Sequence, residues 1–283
     1  MANEIGVTET GDTRQALVSS IVQEVIAEKA QLLPLVTDYS ASAQPGSQSL
    51  GIPRRDTFSA SSKSENTAVT NSEMTFSVDT LSFSHKYVSA KIEDIARVQS
   101  SVDVPGEVVR EIGEAMAREA DNLILAQLKL GSTAAPDHIL PYTDAANDDI
   151  ELSDITNARS LLRSQGVMFN DENNYLLVSP EQEAFLLGID GLIDASKYGS
   201  EASIQSGEIG KIFGFRVVVS DLLTANQSIF FNKAACGFAS QMDFKLEYQR
   251  DLENLADHYV GSGLMGAKVL AAGKKNIFLD DGH

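Results

Sequence analysis

The sequence predicts an α+β fold that combines one very long helix, long strands and a compact α/β unit. One amphipathic pattern runs from Asp103 to Gly131 and predicts a single very long helix. Two stretches, residues 50–92 and the region after Ala235, alternate between apolar and polar residues and predict long strands. Between them, residues 150–235 alternate between helix and strand patterns and predict a compact α/β unit.

The N-terminal region predicts a polar stretch followed by a helix. Residues 1–11 are polar, Asp12 can act as an N-cap, and Gln15 occupies the capping-box position. Apolar residues then recur at helical spacing until Pro34, namely Leu17, Val18, Ile21, Val22, Val25 and Ile26. We expect this helix to dock its apolar face on its own domain or on a neighbouring molecule.

Residues 50–92 predict a long β-hairpin arm. From residue 57 to residue 84, 13 of 28 residues are Ser or Thr, a composition that a disordered linker also has. Apolar residues nevertheless occupy every second position, as in a strand. They fall first at the even-numbered positions Met74, Phe76 and Val78 and then at the odd-numbered positions Leu81 and Phe83. The change of phase predicts a bulge or twist at residues 79–80. So few apolar residues cannot form a core, so the arm needs a partner surface.

The long helix begins and ends with clear signals. Asp103 is suited to the N-cap, Pro105 and Glu107 to the first turn, and Gly131 to the position after the last turn. Its apolar stripe is Val108, Ile112, Ala115, Met116, Ala120, Leu123, Ile124 and Leu128. About 27 residues at 1.5 Å each give a helix of roughly 40 Å, more than twice the usual length. We expect this structural spine to have the C-terminal strands, including residues 277–279, lying along it.

Composition and charge exclude several classes of function. The net charge of −18 repels phosphate groups, which argues against a protein that reads DNA through its grooves, though not against one that encloses DNA. A single cysteine, Cys236, excludes an intrachain disulfide and suits a reducing compartment. The N-terminus lacks the pattern of a signal peptide, and no apolar run is as long as a membrane span, so we expect no membrane partner.

One stretch looks like a dinucleotide-binding loop. Gly261, Gly263 and Gly266 in "YVGSGLMGAKVL" match the spacing G-x-G-x-x-G. A genuine loop of this kind opens a helix inside a βαβ unit, with an acidic residue about 20 positions further on. Only 17 residues follow Gly266, which is too few for a helix and a second parallel strand. We therefore expect a glycine-containing strand that another segment approaches closely.

No other motif indicates a catalytic, cofactor-binding or metal-binding residue. The segment "GEIGKIFG" lacks the hydroxyl residue that follows the lysine of a phosphate-binding loop, so its glycines are expected in turns. The acidic pairs Glu93–Asp94 and Asp148–Asp149 are expected by chance in a chain with 40 acidic residues. The sequence therefore predicts no catalytic site, no cofactor and no metal, and a protein that is not an enzyme.

In element order and length, nearly the whole chain resembles the major capsid proteins of tailed bacteriophages, which share the Hong Kong 97-type shell fold. Three segments carry the resemblance most clearly. They are "FSHKYVSAKIEDIARVQSSVDVPGEVVREIGEAMAREADNLIL", "GKIFGFRVVVSDLL" and "YVGSGLMGAKVLAAGKKNIFLD". They resemble, in turn, the family's hairpin return with its spine helix, a turn and strand of the axial domain, and the final strand of the peripheral domain.

The resemblance implies a domain division. Residues 1–45 would form the N-terminal arm and residues 46–92 the extended loop, a β-hairpin. Residues 93–148, with the spine helix, and the return strands of residues 236–283 would form the peripheral domain. Residues 149–235 would form the axial domain.

The resemblance also implies the function and the partners. The chain would assemble with itself into hexamers and pentamers of an icosahedral head shell that encloses phage double-stranded DNA without sequence-specific binding. Its location would be the virion, after assembly in the host cytoplasm. Only about 11 residues precede the first predicted helix, too few for the internal scaffold of some family members. The resemblance therefore implies a separate scaffolding protein and a portal, and it leaves room for a decoration protein.

Two alternatives remain open at this stage. An encapsulin-type bacterial nanocompartment would have the same fold but would enclose a cargo protein. A soluble α/β enzyme with an acidic site would instead be a monomer or a small oligomer.

Overall fold

The computed structural model describes residues 29–55, 60, 62–66, 68–69, 76–100, 104–130, 139–143, 149–169, 172–189, 210–270 and 275–280. The apolar residues of the helix expected before Pro34 lie at 17–26, outside the described residues. The described strands form sheets of four, six and two strands.

The four-stranded sheet contains two long strands joined by a tight turn. Its strands are β1 (Thr37–Asp38), β4 (Ser84–Glu93), β10 (Cys236–Asp251) and β11 (Ala256–Val269). Their order is β1, β10, β11, β4, with β11 antiparallel to both neighbours and β1 parallel to β10. The strands predicted between Ala235 and Leu270 and around residues 88–92 are therefore confirmed, and they belong to one sheet.

The predicted spine is present as α2 (Val104–Leu128), which a short helix, α1 (Asp94–Gln99), precedes. α2 packs against β11, β4 and β10. Its buried residues are Val109, Ile112, Gly113, Met116, Ala117, Ala120, Asp121, Ile124, Leu125 and Leu128. Ala115, which the sequence pattern assigned to the apolar stripe, is exposed, because the buried face is centred on Met116, Ala117 and Ala120.

Two helices and four strands form the compact unit predicted for residues 150–235, and two further strands from outside that range complete its six-stranded sheet. The sheet order is β5, β12, β9, β6, β8, β7. The strands are β5 (Ile139–Leu140), β6 (Asn174–Val178), β7 (Lys211–Ile212), β8 (Phe215–Val219), β9 (Gln227–Asn232) and β12 (Asn276–Asp280), and the helices are α3 (Leu152–Ser164) and α4 (Pro180–Gly188). Ser179 caps the start of α4, because its side chain accepts a hydrogen bond from the backbone N–H of Gln182, and Pro180 occupies the first turn.

β12 corrects the expectation that the last strand lies along the spine helix. It pairs antiparallel with β9 and parallel with β5, inside the six-stranded sheet. Ile277 and Leu279 point into a core cluster on one face of this sheet, whereas Phe278 belongs to the cluster that contains the spine helix. A strand that is apolar on both faces can be satisfied only inside a sheet that is covered on both sides. The six-stranded sheet thus separates two hydrophobic cores, one on each of its faces.

The arm is a two-stranded hairpin of β2 (Ser49–Arg55) and β3 (Phe76–Ser82). The two strands pair antiparallel without interruption from Ser49 opposite Ser82 to Arg55 opposite Phe76, so the bulge expected at residues 79–80 is wrong. The apolar pattern shifts by one position because the apolar residues of β3 point to both faces of the hairpin. The arm is also shorter than residues 50–92, because β4 leaves the hairpin and joins the four-stranded sheet.

Candidate functional site

The hairpin arm presents an apolar face to solvent. Phe76 and Val78 are 63% and 58% exposed, and Pro53, which is paired with Val78, is exposed beside them. The opposite face turns inward at the base of the arm, where Leu81 is fully buried. Within the described part of the chain nothing covers the outer face, which therefore has the character of a contact surface for another molecule.

The base of the arm is fixed to the edge of the four-stranded sheet. The Gln241 side-chain amide donates hydrogen bonds to the carbonyl oxygens of Gln44 and Ser47, at 2.6 and 2.8 Å. The backbone N–H of Ser240 donates to the hydroxyl of Ser40 at 2.9 Å. These contacts lie where β10 shifts register against β11, so the irregular part of β10 holds the chain that leads into the arm.

A buried carboxylate fixes the segment before β1 to the spine helix. The Asp121 side chain, 3% exposed, accepts hydrogen bonds from the backbone N–H groups of Gln31 and Leu32, at 2.8 and 3.0 Å. Leu32 is fully buried beside the spine, so its side chain and its backbone are both held. Burial raises the pKa of Asp121 above its usual value, although the backbone donors act in the opposite direction.

An ion-pair network ties α1 to the β10–β11 hairpin. Arg250 donates to both carboxylate oxygens of Asp94, at 2.7 and 2.5 Å, and to Asp257 at 2.8 Å. Asp257, whose side chain is 7% exposed, also accepts from the Tyr248 hydroxyl at 2.9 Å and from Arg97 at 3.3 Å. Hydrogen bonding to Arg250 lowers the pKa of both aspartates and, in turn, raises the pKa of the arginine.

A second carboxylate shapes the turn that joins β10 and β11. Asp251 pairs with Lys91 on β4 at 2.8 Å and accepts hydrogen bonds from the backbone N–H groups of Glu253 and Asn254, at 3.0 and 3.2 Å. The Lys91 contact, followed by the hydrogen bonds from Asn254, holds the pKa of Asp251 well below its usual range. These contacts hold the turn at the end of the long hairpin against β4, although the turn is exposed to solvent.

The stretch with the G-x-G-x-x-G spacing lies in the middle of β11, between β10 and β4. A strand bonded on both sides opens no helix and forms no phosphate-binding loop. A Cβ atom on Gly261 would lie 2.5 Å from the ring of Phe244 and 2.6 Å from Ile112 of the spine helix. A Cβ atom on Gly266 would lie 2.3 Å from the carbonyl oxygen of Ser82, at the base of the arm. These two glycines are positions of close approach, as the sequence predicted.

The remaining motif residues have structural positions. Gly214 has a φ of 89° and Phe213 a φ of 47°, and together they make the tight turn between β7 and β8. Cys236 is fully buried, and burial raises the pKa of its thiol to about 12, so it remains a neutral apolar residue. Asp94 of the Glu93–Asp94 pair takes part in the Arg250 network, and Asp148 lies outside the described residues.

Two shallow grooves occur on the compact unit. One, of about 470 Å³, lies between the start of α3 and α4 and is lined by Asp149, Glu151, Phe185 and their neighbours. The other, of about 360 Å³, runs between α3 and the end of β5. In the described ranges, no group of three His, Cys, Asp or Glu side chains is placed to hold a metal ion. None of the described helices has the length and apolar content needed to span a membrane.

Sequence analysis missed Asp121 and the Arg250 network for different reasons. Asp121 occupies a regular position of the buried stripe, between Ala117 and Ile124, so an acidic residue within the apolar repeat was an available signal. The pair of Asp94 and Arg250 is separated by 156 residues, and no local pattern connects the two.

Comparisons with known proteins agree with this architecture. The family model described as "Phage capsid protein" matches residues 78–274. A Mycobacterium phage Che8 structure is similar with a TM-score of 0.72 and 20% identity, over 89% of this chain and 91% of that chain. The capsid structure of the cyanophage P-SCSP1u is similar with a TM-score of 0.66 and 19% identity, over 87% of this chain and 86% of that chain. The mature capsid of bacteriophage PhiM1 is similar with a TM-score of 0.65 and 14% identity, over 89% of this chain and 86% of that chain. No match was found among curated proteins.

The spine helix across a four-stranded sheet, the adjoining six-stranded unit and the projecting hairpin define a shell-building subunit with the Hong Kong 97-type fold. The chain belongs to the phage capsid protein family, since the family model covers well over half of its length. Both the α+β fold class and the resemblance noted from the sequence are thereby confirmed, and the family favours a phage capsid over an encapsulin.

Proposed function

We propose that the chain is the major capsid protein of a tailed phage and assembles with itself, as hexamers and pentamers, into the icosahedral head shell that encloses double-stranded DNA. The outward apolar face of the hairpin arm carries this proposal. Phe76 and Val78 remain 63% and 58% exposed on a hairpin whose described residues form no core of their own. A neighbouring subunit of the shell would provide the missing cover, and many such weak contacts would add up to a stable particle.

The proposed division of the subunit follows the sheets. Residues 1–45 form the N-terminal arm and residues 46–92 the extended loop, whose last strand enters the four-stranded sheet. Residues 93–148 and 236–283 form the peripheral domain, apart from β5 and β12, which complete the sheet of the axial domain, residues 149–235. The protein acts mechanically and not as an enzyme. It works with a separate scaffolding protein and a portal, and it can accept a decoration protein.

The charge of the chain suits a container for DNA. We infer that the net charge of −18 leaves the inner wall of the shell acidic, so that incoming DNA slides along the wall instead of adhering to it. A charge map of the assembled shell tests this inference, and a strongly basic inner surface would contradict it. Assembly would take place in the host cytoplasm, and the final location would be the virion.

Electron microscopy of the chain, produced together with the proposed scaffolding protein, tests the proposed function. We expect closed, uniform icosahedral particles in negative stain, and DNA inside particles isolated from phage. A monomer or small oligomer under every assembly condition would favour the soluble-enzyme alternative. Particles that enclose a protein cargo and no DNA would favour the encapsulin-type compartment.

A further inference from the structure

The side chain of Gln241 connects β10 with the residues that lead into the hairpin arm. We propose that Gln241 is a positioning residue, which sets the direction in which the arm leaves the body of the subunit and thereby permits assembly. The proposal rests on the proposed shell function, because it names the residue that prepares the arm to reach a neighbouring subunit.

The two strands of the arm are attached to the body in different ways. β3 leads directly into β4, and this connection is bonded to the four-stranded sheet, since the Ser84 hydroxyl donates to the carbonyl oxygen of Met265 at 3.2 Å. The carbonyl oxygen of Ser82 also packs closely on Gly266. β2 is instead preceded by residues 43–48, which belong to no helix or strand. A hairpin that is fixed through one strand alone can turn about that strand, so the attachment of residues 43–48 determines its direction.

Gln241 supplies the attachment on the β2 side. Its amide nitrogen donates to the carbonyl oxygen of Gln44 at 2.6 Å and to that of Ser47 at 2.8 Å. The two carbonyl groups lie on either side of Gly46, whose φ of 91° belongs to a tight turn. A primary amide has two N–H donors, and both are used here. One hydrogen bond would leave the turn free to rotate about it, whereas two fix its orientation.

A bulge in β10 directs Gln241 toward the arm. Its two neighbours on β10, Ser240 and Met242, pair with consecutive residues of β11, so Gln241 is an extra residue in that ladder. The Ser240 hydroxyl donates to the carbonyl oxygen of Met242 at 3.0 Å and so bridges the bulge. A bulge disrupts the ladder locally and re-aims a side chain. A bulge that aims an amide at the base of the arm therefore indicates a role in placing the arm.

Spin labels measure the direction of the arm in the unassembled subunit. Ser77→Cys on β3 and Lys245→Cys on β10 provide two labelling sites, since the native Cys236 is fully buried. We expect pulsed electron spin resonance to give one narrow distance between the labels when Gln241 is present. Gln241→Leu, which is close in size but removes both donors, should broaden or shift this distance. Gln249→Leu, at an exposed position of the same strand, is the matched control and should leave it unchanged.

Replacing the amide by a carboxyl group gives the attachment a pH dependence that a merely space-filling role would not produce. The carboxylate of Gln241→Glu has no proton to donate to the two facing carbonyl oxygens, so we expect a broad distance at about pH 7. These oxygens favour the neutral form of the carboxyl group, so lowering the pH toward about 5 should restore one hydrogen bond and narrow the distance. Gln249→Glu should show no such change. The native carboxylates, Asp243 included, are common to all these chains, so their titration cancels in the comparison.

Particle assembly shows whether the direction of the arm matters. Gln241→Leu, produced together with the proposed scaffolding protein, should give closed particles in a yield reduced roughly tenfold or more, because every subunit of a particle repeats the misdirected arm. The melting temperature of the unassembled subunit should change little, since both hydrogen bonds of Gln241 are exposed to solvent. Gln249→Leu should assemble like the parent chain.

The outcomes distinguish this inference from the proposed function. A narrow, unshifted spin distance in Gln241→Leu would overturn the inference, and so would a normal particle yield from that variant. A distance in Gln241→Glu that does not narrow at lower pH would show that hydrogen bonding by residue 241 does not direct the arm, which also overturns it. In each case, particles from the parent chain would leave the shell function intact. Absence of particles from the parent chain would contradict the proposed function, while the spin distances would still decide whether Gln241 directs the arm.

Discussion

At the scale of single residues, close approach explains the glycines of β11. Gly266 lies beneath the carbonyl oxygen of Ser82, where the arm leaves the four-stranded sheet. Gly261 lies beneath Phe244 and the spine residue Ile112. Gly263 is less crowded, since its nearest neighbours are the flexible ends of Met265 and Met116, at 3.3 and 3.5 Å. The three glycines therefore differ in how strictly the structure requires them.

Gly266→Ala tests this difference. The added methyl group would meet a backbone carbonyl, which cannot rotate away, so we expect the free energy of unfolding to fall by roughly 1–3 kcal/mol. Gly263→Ala is the matched control and should cost less, because methionine side chains adapt. Chemical denaturation of both variants measures the effect, and equal losses would contradict the assignment of Gly266 as the crowded position.

Asp121 is the other residue whose position has a measurable consequence. Its pKa is raised by burial, so the folded chain retains a proton over a pH window in which the unfolded chain has lost it. Lowering the pH from neutral through the raised pKa toward the usual aspartate pKa should therefore stabilise the folded chain. This stabilisation should end once both states are protonated.

Asp121→Asn should remove this pH dependence. As the pH falls from 7 toward 4, we expect the melting temperature of the parent chain to rise relative to that of the variant. Glu114→Gln, which changes a solvent-accessible carboxylate of the same helix, should follow the parent chain. If the difference between parent and Asp121→Asn stays constant with pH, Asp121 does not retain the extra proton.

At the scale of elements, the sequence predicted those whose pattern is long or whose termini are marked. The spine helix and the long strands after residue 235 are examples. The sequence did not predict which strands pair with each other, because a pattern of apolar residues does not identify the neighbouring strand. The three apolar residues at the centre of β12, Ile277, Phe278 and Leu279, point to both faces of the strand and contain no signal for the sheet that they join. β1 has only two residues and is visible only through its pairing with β10.

The hairpin arm is the element most directly tied to assembly. Arg55 and Phe76 end the paired strands at the same level, so a two-residue Asn-Gly turn can replace residues 56–75. We expect this variant to keep a folded body, because β4 and the four-stranded sheet are untouched, yet to fail to close particles. Melting temperature and negative-stain microscopy measure the two effects. Normal particles from the shortened chain would show that the arm is not needed for closure.

At the scale of the whole molecule, net charge opposes association. Each subunit carries −18, and the screening length falls from about 30 Å at 0.01 M ionic strength to about 8 Å at 0.15 M. We therefore expect light scattering to show assembly at lower protein concentrations as salt increases. Assembly that weakens with added salt would instead indicate that attraction between charged groups of different subunits dominates.

The long β10–β11 hairpin also determines how the subunit carries force. Its strands pair over most of 16 and 14 residues, and the Arg250 network closes its far end. Tension along such a ribbon loads its cross-strand hydrogen bonds together, in shear, whereas a sideways pull would open them one after another. The subunit is therefore stiff along the hairpin and more compliant across it. A shell of such subunits can withstand pressure from within when the β10–β11 hairpins lie in the plane of the shell. The stiff direction is already set by the fold of the single chain.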